Sequence, residues 1–99
     1  MKHILLLEDD ESLNRGISLK LSKEGYHVFS AGTISEANSI FSKESIDLVI
    51  SDITLPDGNG LDFGKVVREK SNAVIVLAGI YLLLTSANKQ KLTETHHAY

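Results

Sequence analysis

Apolar residues in this chain fall into short dense runs that alternate with stretches of helical spacing. Ile4–Leu7 is wholly apolar and stops at Glu8, the pattern of a strand covered on both faces. From Ser12 to Glu24, Leu13, Ile17 and Leu21 recur every fourth residue, which predicts an amphipathic helix, and Gly25 supplies its stop. Tyr26–Ala31 is rich in β-formers and ends at Gly32. A second helix, capped by Ser35 or Thr33, carries Ile34, Ala37, Ile40 and Phe41 on one side. Ile46–Ser51 is a third strand that ends at Asp52. Pro56 to Gly60 is dense turn chemistry, followed by a helix over Leu61–Lys70, a turn at Ser71-Asn72 and a fourth strand at Val74–Leu77. The order βαβαβαβ predicts a doubly wound α/β fold: a parallel sheet with right-handed crossovers and helices on both faces. Residues 1–79 read as this βα core, and 80–99 as a differently patterned C-terminal segment of the same domain. There, Ile80, Leu83, Leu84, Ala87 and Leu92 fit one face of a helix, although Tyr81–Leu84 also fits a strand; Thr93–Tyr99 is polar.

Composition narrows the function classes. A chain of 99 residues makes one domain, with 42% hydrophobic and 23% charged residues, as in soluble globular proteins. A net charge of −3 argues against a nucleic-acid face. Without cysteine, thiolate zinc sites, disulfides and cysteine nucleophiles are excluded, and a reducing cytoplasm is expected. The four apolar residues after Met1-Lys2-His3 do not make a signal peptide. The longest apolar run, Ala73 to Leu84, is shorter than the roughly 20 residues of a membrane span, so no membrane contact is expected.

In a doubly wound sheet, ligands sit beyond the carboxyl ends of the strands. Glu8, Asp9, Asp10 and Glu11 follow the first strand, and Asp52 ends the third. If those strands are neighbours, the carboxylates converge, and like charges so close call for a neutralising cation. An all-oxygen set suits Mg2+, which takes one or two carboxylates together with phosphate oxygens. Asp52 is then a candidate nucleophile toward phosphorus, Asp9 the principal metal ligand, and Glu8 the holder of metal-bound water. Asp10 and Glu11 read as helix-start residues that favour the helix dipole. His3, His27, His96 and His97 show no ligand spacing: the first two read as strand or surface residues, the last two as a solvated tail.

The run Ile4-Leu5-Leu6-Leu7-Glu8-Asp9-Asp10-Glu11, with Asp52-Ile53-Thr54-Leu55-Pro56-Asp57-Gly58-Asn59-Gly60 placed 43 residues beyond Asp9, resembles the receiver domains of two-component response regulators. The likeness covers about Lys2 to Leu77, and its style is similar to receivers that precede a winged-helix DNA-binding domain. It implies a flavodoxin-like sheet of order 2-1-3-4-5. It implies Asp52 as phosphoacceptor, Mg2+ held by Glu8, Asp9, Asp52 and the backbone carbonyl of Thr54, and a sensor histidine kinase as donor. The module would catalyse its own phosphorylation without being a turnover enzyme.

The chain departs from the pattern at its C-terminal end. Ala78 stands where receivers place Ser or Thr, and Pro56 is the only proline, so the Lys-Pro signature after the fifth strand is missing. The expected order is therefore 2-1-3-4 with the fifth strand missing or replaced, and phosphorylation is expected to be impaired unless Lys89 or Lys91 substitutes. An unpaired fourth-strand edge, or the C-terminal segment, would favour a homodimer. Three rival readings are an interaction module that never accepts phosphate, a haloacid-dehalogenase-like phosphatase and a flavin-binding domain. The second conflicts with the position of Asp52 after the third strand and with the absence of an Asp-x-Asp pattern.

Overall fold

A computed structural model describes residues 2–77. Its elements run β1 (His3–Leu7), α1 (Glu11–Lys23), β2 (His27–Ala31), α2 (Ile34–Lys43), β3 (Leu48–Ser51), β4 (Thr54–Leu55), β5 (Gly58–Asn59), α3 (Gly60–Lys70) and β6 (Val74–Leu77). The main sheet is parallel throughout, in the order β2-β1-β3-β6. This is the expected 2-1-3-4 arrangement, with β6 as the fourth parallel strand. The expectations for Ala78, Gly79, Lys89, Lys91 and the segment 80–99 lie outside the described residues.

The wholly apolar β1 is explained by two cores, one on each side of the sheet. Leu5 and Leu7 face α2 and α3, packing with Ala31, Ala37, Val49, Phe63 and Val67. Ile4 and Leu6 face α1 and pack with Ile17 and Ile50, bordered by Leu13, Leu21 and Val28. All four side chains of Ile4–Leu7 are fully or almost fully buried, each contributing about 1.5–3 kcal/mol by leaving water. On β6, Ile75 packs against the α2–α3 core. Val74 and Val76, in register with Leu48 and Ile50, are largely exposed.

Helix starts follow their capping chemistry. Asp10, Thr33 and Asn59 cap α1, α2 and α3 by accepting from the backbone N–H groups of Leu13, Glu36 and Leu61. Thr33, not Ser35, is therefore the cap of α2, and Asp10 and Glu11 are helix-start residues as expected. The plain turn expected over Pro56–Gly60 is instead a two-residue-per-strand antiparallel ribbon, with Thr54 opposite Asn59 and Leu55 opposite Gly58. Alternating apolar–polar runs cannot announce strands that short. Gly58 sits at φ +154°, a conformation that favours glycine, and a Cβ there would lie 2.8 Å from Ile34 Cδ1, so the Ile34 side chain would have to shift as well.

Asp57, at the tip of this ribbon, reaches across to α2. Its two carboxylate oxygens accept from the N–H groups of Ile34 and Ser35 at 2.8 and 3.0 Å. These bonds hold the Asp57 carboxyl below the usual carboxylate range. A depressed folded-state pKa contributes stability that is present above the unfolded value and lost as pH falls through the folded one. Asp57→Asn should therefore lower the urea midpoint at pH 7, with the gap to the parent chain closing as the pH is brought below about 4. Equal midpoints at pH 7 would show that the clamp adds nothing.

Candidate functional site

β1 and β3 are hydrogen-bonded neighbours whose last residues, Leu7 and Ser51, are register partners. The residues that follow each strand are thereby delivered to the same rim of the sheet. Glu8, Asp9 and Asp52 each present a carboxylate oxygen there, and these oxygens all lie within 4.8 Å of one another. This is the only such grouping of three potential metal-ligating side chains among the described residues. Three of the four ligands expected from sequence are thus brought together. Thr54 opens β4 two residues beyond Asp52, with its side chain exposed.

The acids differ in surroundings. Glu8 is only 4% exposed, whereas Asp9 is exposed and Asp52 half-buried. The Glu8 amide donates to the Ala31 carbonyl at 2.9 Å, and its Oε2 accepts from the Asp10 N–H at 3.0 Å. Burial, reinforced by the neighbouring Asp9 and Asp52, pushes the Glu8 carboxyl above its ordinary range against the opposing bond from Asp10. Asp52 is held at both ends. Its amide donates to the Leu7 carbonyl at 3.0 Å, and its Oδ1 accepts from the Ile53 N–H at 2.8 Å. The buried Ser51 hydroxyl donates to the Asp52 carbonyl at 2.8 Å.

Three supports of this site were missed in the sequence. Asn14 is buried, and its side-chain amide donates to the carbonyls of Glu8 and Ala31 at 3.0 and 3.2 Å, tying together the ends of β1 and β2. Its only signal was a polar residue set inside the Leu13–Ile17–Leu21 stripe. Ser51 gave no signal within an apolar strand. Gly60 read as part of a turn, but its N–H donates to the Ile53 carbonyl, and a Cβ at this position would run into the Asp52 carbonyl oxygen. Beside the acids, an open cleft is lined by Glu8, Asp9, Arg15, Thr33, Glu36 and Pro56, and Arg15 is its only basic side chain among the described residues.

Chemically, three carboxylates at one rim suit a hard cation bound through oxygen. The burial of Glu8 beside two other carboxylates supplies a reason for one, because burial and like charge both disfavour its ionised form without a positive partner. The donor set fits Mg2+, and the cluster is able to hold a metal ion.

Comparison with known proteins gives a consistent result. A family model described as "Response regulator receiver domain" matches residues 4–96. The uncharacterized transcriptional regulatory protein YcbL of Bacillus subtilis is 41% identical over 73 residues, covering 74% of this chain and 32% of the relative. The non-phosphorylated receiver domain of HemR from Leptospira biflexa superposes with a TM-score of 0.71 at 37% identity, covering 78% of this chain and 63% of that one. The response regulator protein TrrA, solved in complex with the histidine kinase ThkA, gives a TM-score of 0.73 at 35% identity, covering 78% and 67%. TrrA from Thermotoga maritima has also been solved with Mg2+ and BeF. The chain spans about a third of the length of the curated relatives it matches.

Proposed function

This chain belongs to the response regulator receiver domain family, and from that premise we propose that it is a phosphoacceptor, taking a phosphoryl group on Asp52 from the phosphohistidine of a sensor kinase with the help of Mg2+. The observation that carries the reading is the convergence of Glu8, Asp9 and Asp52 oxygens within 4.8 Å at the rim shared by β1 and β3. Asp9, Glu8, Asp52 and the Thr54 carbonyl would hold the ion. When bound, Mg2+ offsets the negative charge of the phosphoryl oxygens that would otherwise face three carboxylates. An Asp52 carboxylate oxygen forms the new bond to phosphorus as the phosphorus–nitrogen bond to the donor imidazole breaks. The Ile53 N–H on Oδ1 fixes the carboxylate's rotation, and the Asp52 amide bond to Leu7 fixes its height above the sheet. A group that is phosphorylated and must be dephosphorylated before reuse is a signalling element, not a turnover enzyme.

Three features support the finer parts of this reading. TrrA, solved with its kinase, is the model for a histidine-kinase partner here. The receiver family is the support for a cytoplasmic location; among the described residues no helix is long and apolar enough to cross a membrane. Several curated relatives are named as transcriptional regulatory proteins, which supports an output in transcription carried by parts of a longer chain beyond the matched third. Ala78 lacks the hydroxyl that receivers offer to the phosphoryl group. Loss of one such contact is worth about 3 kcal/mol, so acceptance is expected to be on the order of 100-fold slower than in a receiver with the full set. Self-association through β6, where Val74 and Val76 are exposed, is a further proposal.

Incubation with a small phosphodonor and Mg2+ tests the central claim by intact mass. One added phosphoryl group is expected, not formed when the metal is chelated beforehand and absent in Asp52→Asn. A chain that stays unmodified, although Mg2+ binds, is an interaction module instead. A phosphorylated Asp52→Asn chain would move the acceptor elsewhere.

A further inference from the structure

The opposite end of the sheet holds an arrangement that the sequence did not announce. His3 and His27 read as unrelated residues, but parallel pairing of β1 and β2 makes them register partners. Their ring centres lie 5.1 Å apart with planes at 63°. Two imidazoles that each give one nitrogen to a single tetrahedral ion, at bonds of about 2.0–2.1 Å, have ring centres about 5.2 Å apart. The spacing fits a shared tetrahedral ion as well as it fits an edge-to-face aromatic contact.

The second observation is the state of the rings. His3 Nδ1 lies 2.8 Å from the Ser45 carbonyl oxygen. A carbonyl only accepts, so Nδ1 carries the proton in that bond and the lone pair of the neutral ring is left on Nε2. A backbone carbonyl on the far nitrogen is how metal-binding imidazoles are usually oriented. The His3 backbone is itself fixed, with its N–H donating to Asp47 Oδ2 at 2.8 Å. His27 is held flat on Phe29, ring centres 4.5 Å apart and planes 13° from parallel. It is exposed on β2, an outer strand of the described sheet, so an ion reaches it directly from water.

We propose that His3 and His27 form a site for Zn2+, a tetrahedral dication that takes imidazole nitrogen, with water completing the coordination. This site is separate from the carboxylates, which stand beyond the other ends of the same strands and suit a hard ion. Among the described residues no third His, Asp or Glu joins the pair. An ion held by both imidazoles ties β2 to β1 when the site is filled.

Zn2+ titration of the full chain, followed by the ring C–H NMR signals of its four histidines, tests the proposal. Millimolar Mg2+ is kept present to occupy the carboxylates. The His3 and His27 signals should move together and saturate at one equivalent. His27→Gln should weaken binding at least about tenfold, because half of the protein ligands are lost. A chain carrying His96→Gln and His97→Gln should bind with an unchanged midpoint. His27 is exposed, so its replacement leaves the amide spectrum folded, and this is checked in the same experiment. The proposal is overturned if only the His96 and His97 signals move, if binding disappears with the tail pair, or if His27→Gln binds as tightly as the parent.

Discussion

Gly60→Ala is expected to lower the thermal midpoint by about 10 °C and to slow phosphoryl acceptance at Asp52, although the substituted residue carries no chemistry. At the first position of α3 an alanine would ordinarily be favoured over glycine by about 0.5–1 kcal/mol. Here the added Cβ runs into the Asp52 carbonyl oxygen and approaches Ser51 Oγ at 2.8 Å. Neither neighbour yields cheaply. The Asp52 carbonyl belongs to backbone anchored by the bond from its amide to Leu7, and the Ser51 side chain is fully buried. Overpacking of this kind costs about 1–3 kcal/mol, and each kcal/mol moves the midpoint of a domain this size by about 4–8 °C. A neutral or stabilising Gly60→Ala in a thermal melt would show that the loop has room that the packing denies. Because the strain enters through Asp52 itself, the acceptance rate should fall further than the loss of folded protein explains.

The second large effect concerns charge, and it changes sign with the metal. In metal-free buffer Asp9→Asn should stabilise the chain by roughly 1 kcal/mol, since one of three converging carboxylates is removed. With Mg2+ at 100 times its dissociation constant the parent gains about 2.7 kcal/mol, and the variant gains far less. Denaturation curves with and without Mg2+ should therefore cross in order. The pH dependence follows from Glu8, whose carboxyl is raised first by burial and then by its acidic neighbours. A raised folded-state value contributes stability that is complete below the unfolded value, near 4.5, and is lost as pH rises through the folded one. The metal-free parent should weaken across that window, and Mg2+ should restore the loss. If Asp9→Asn destabilises the metal-free chain and leaves the Mg2+ response intact, the carboxylates are not acting as one site.

Much of this was readable from residue order alone, for identifiable reasons. A wholly apolar Ile4–Leu7 is possible only when both faces of a strand are covered, so the doubly wound arrangement could be argued before any coordinates. Adjacency of β1 and β3 then forced Glu8, Asp9 and Asp52 to one rim. What escaped were contacts whose partners are distant in sequence and whose side chains carry little local signal. Asn14, Ser51 and Asp57 are common polar residues that mean nothing until strand ends and a ribbon tip bring carbonyls and amides to them. The His3–His27 pair escaped for the same reason: a spacing of 24 residues becomes contact only through parallel register.

The central position of β1 has a cost during synthesis. Its partners are β2 on one side and β3 on the other, and neither is joined to it by a tight hairpin. Roughly 44 residues separate Leu7 from its register partner Ser51. At a ribosomal rate of about 5–20 residues per second, the wholly apolar Ile4–Leu7 segment of the nascent chain waits some 2–9 s for its second neighbour. Ile4–Leu7 is therefore the stretch on which a chaperone that recognises extended hydrophobic peptides would act first.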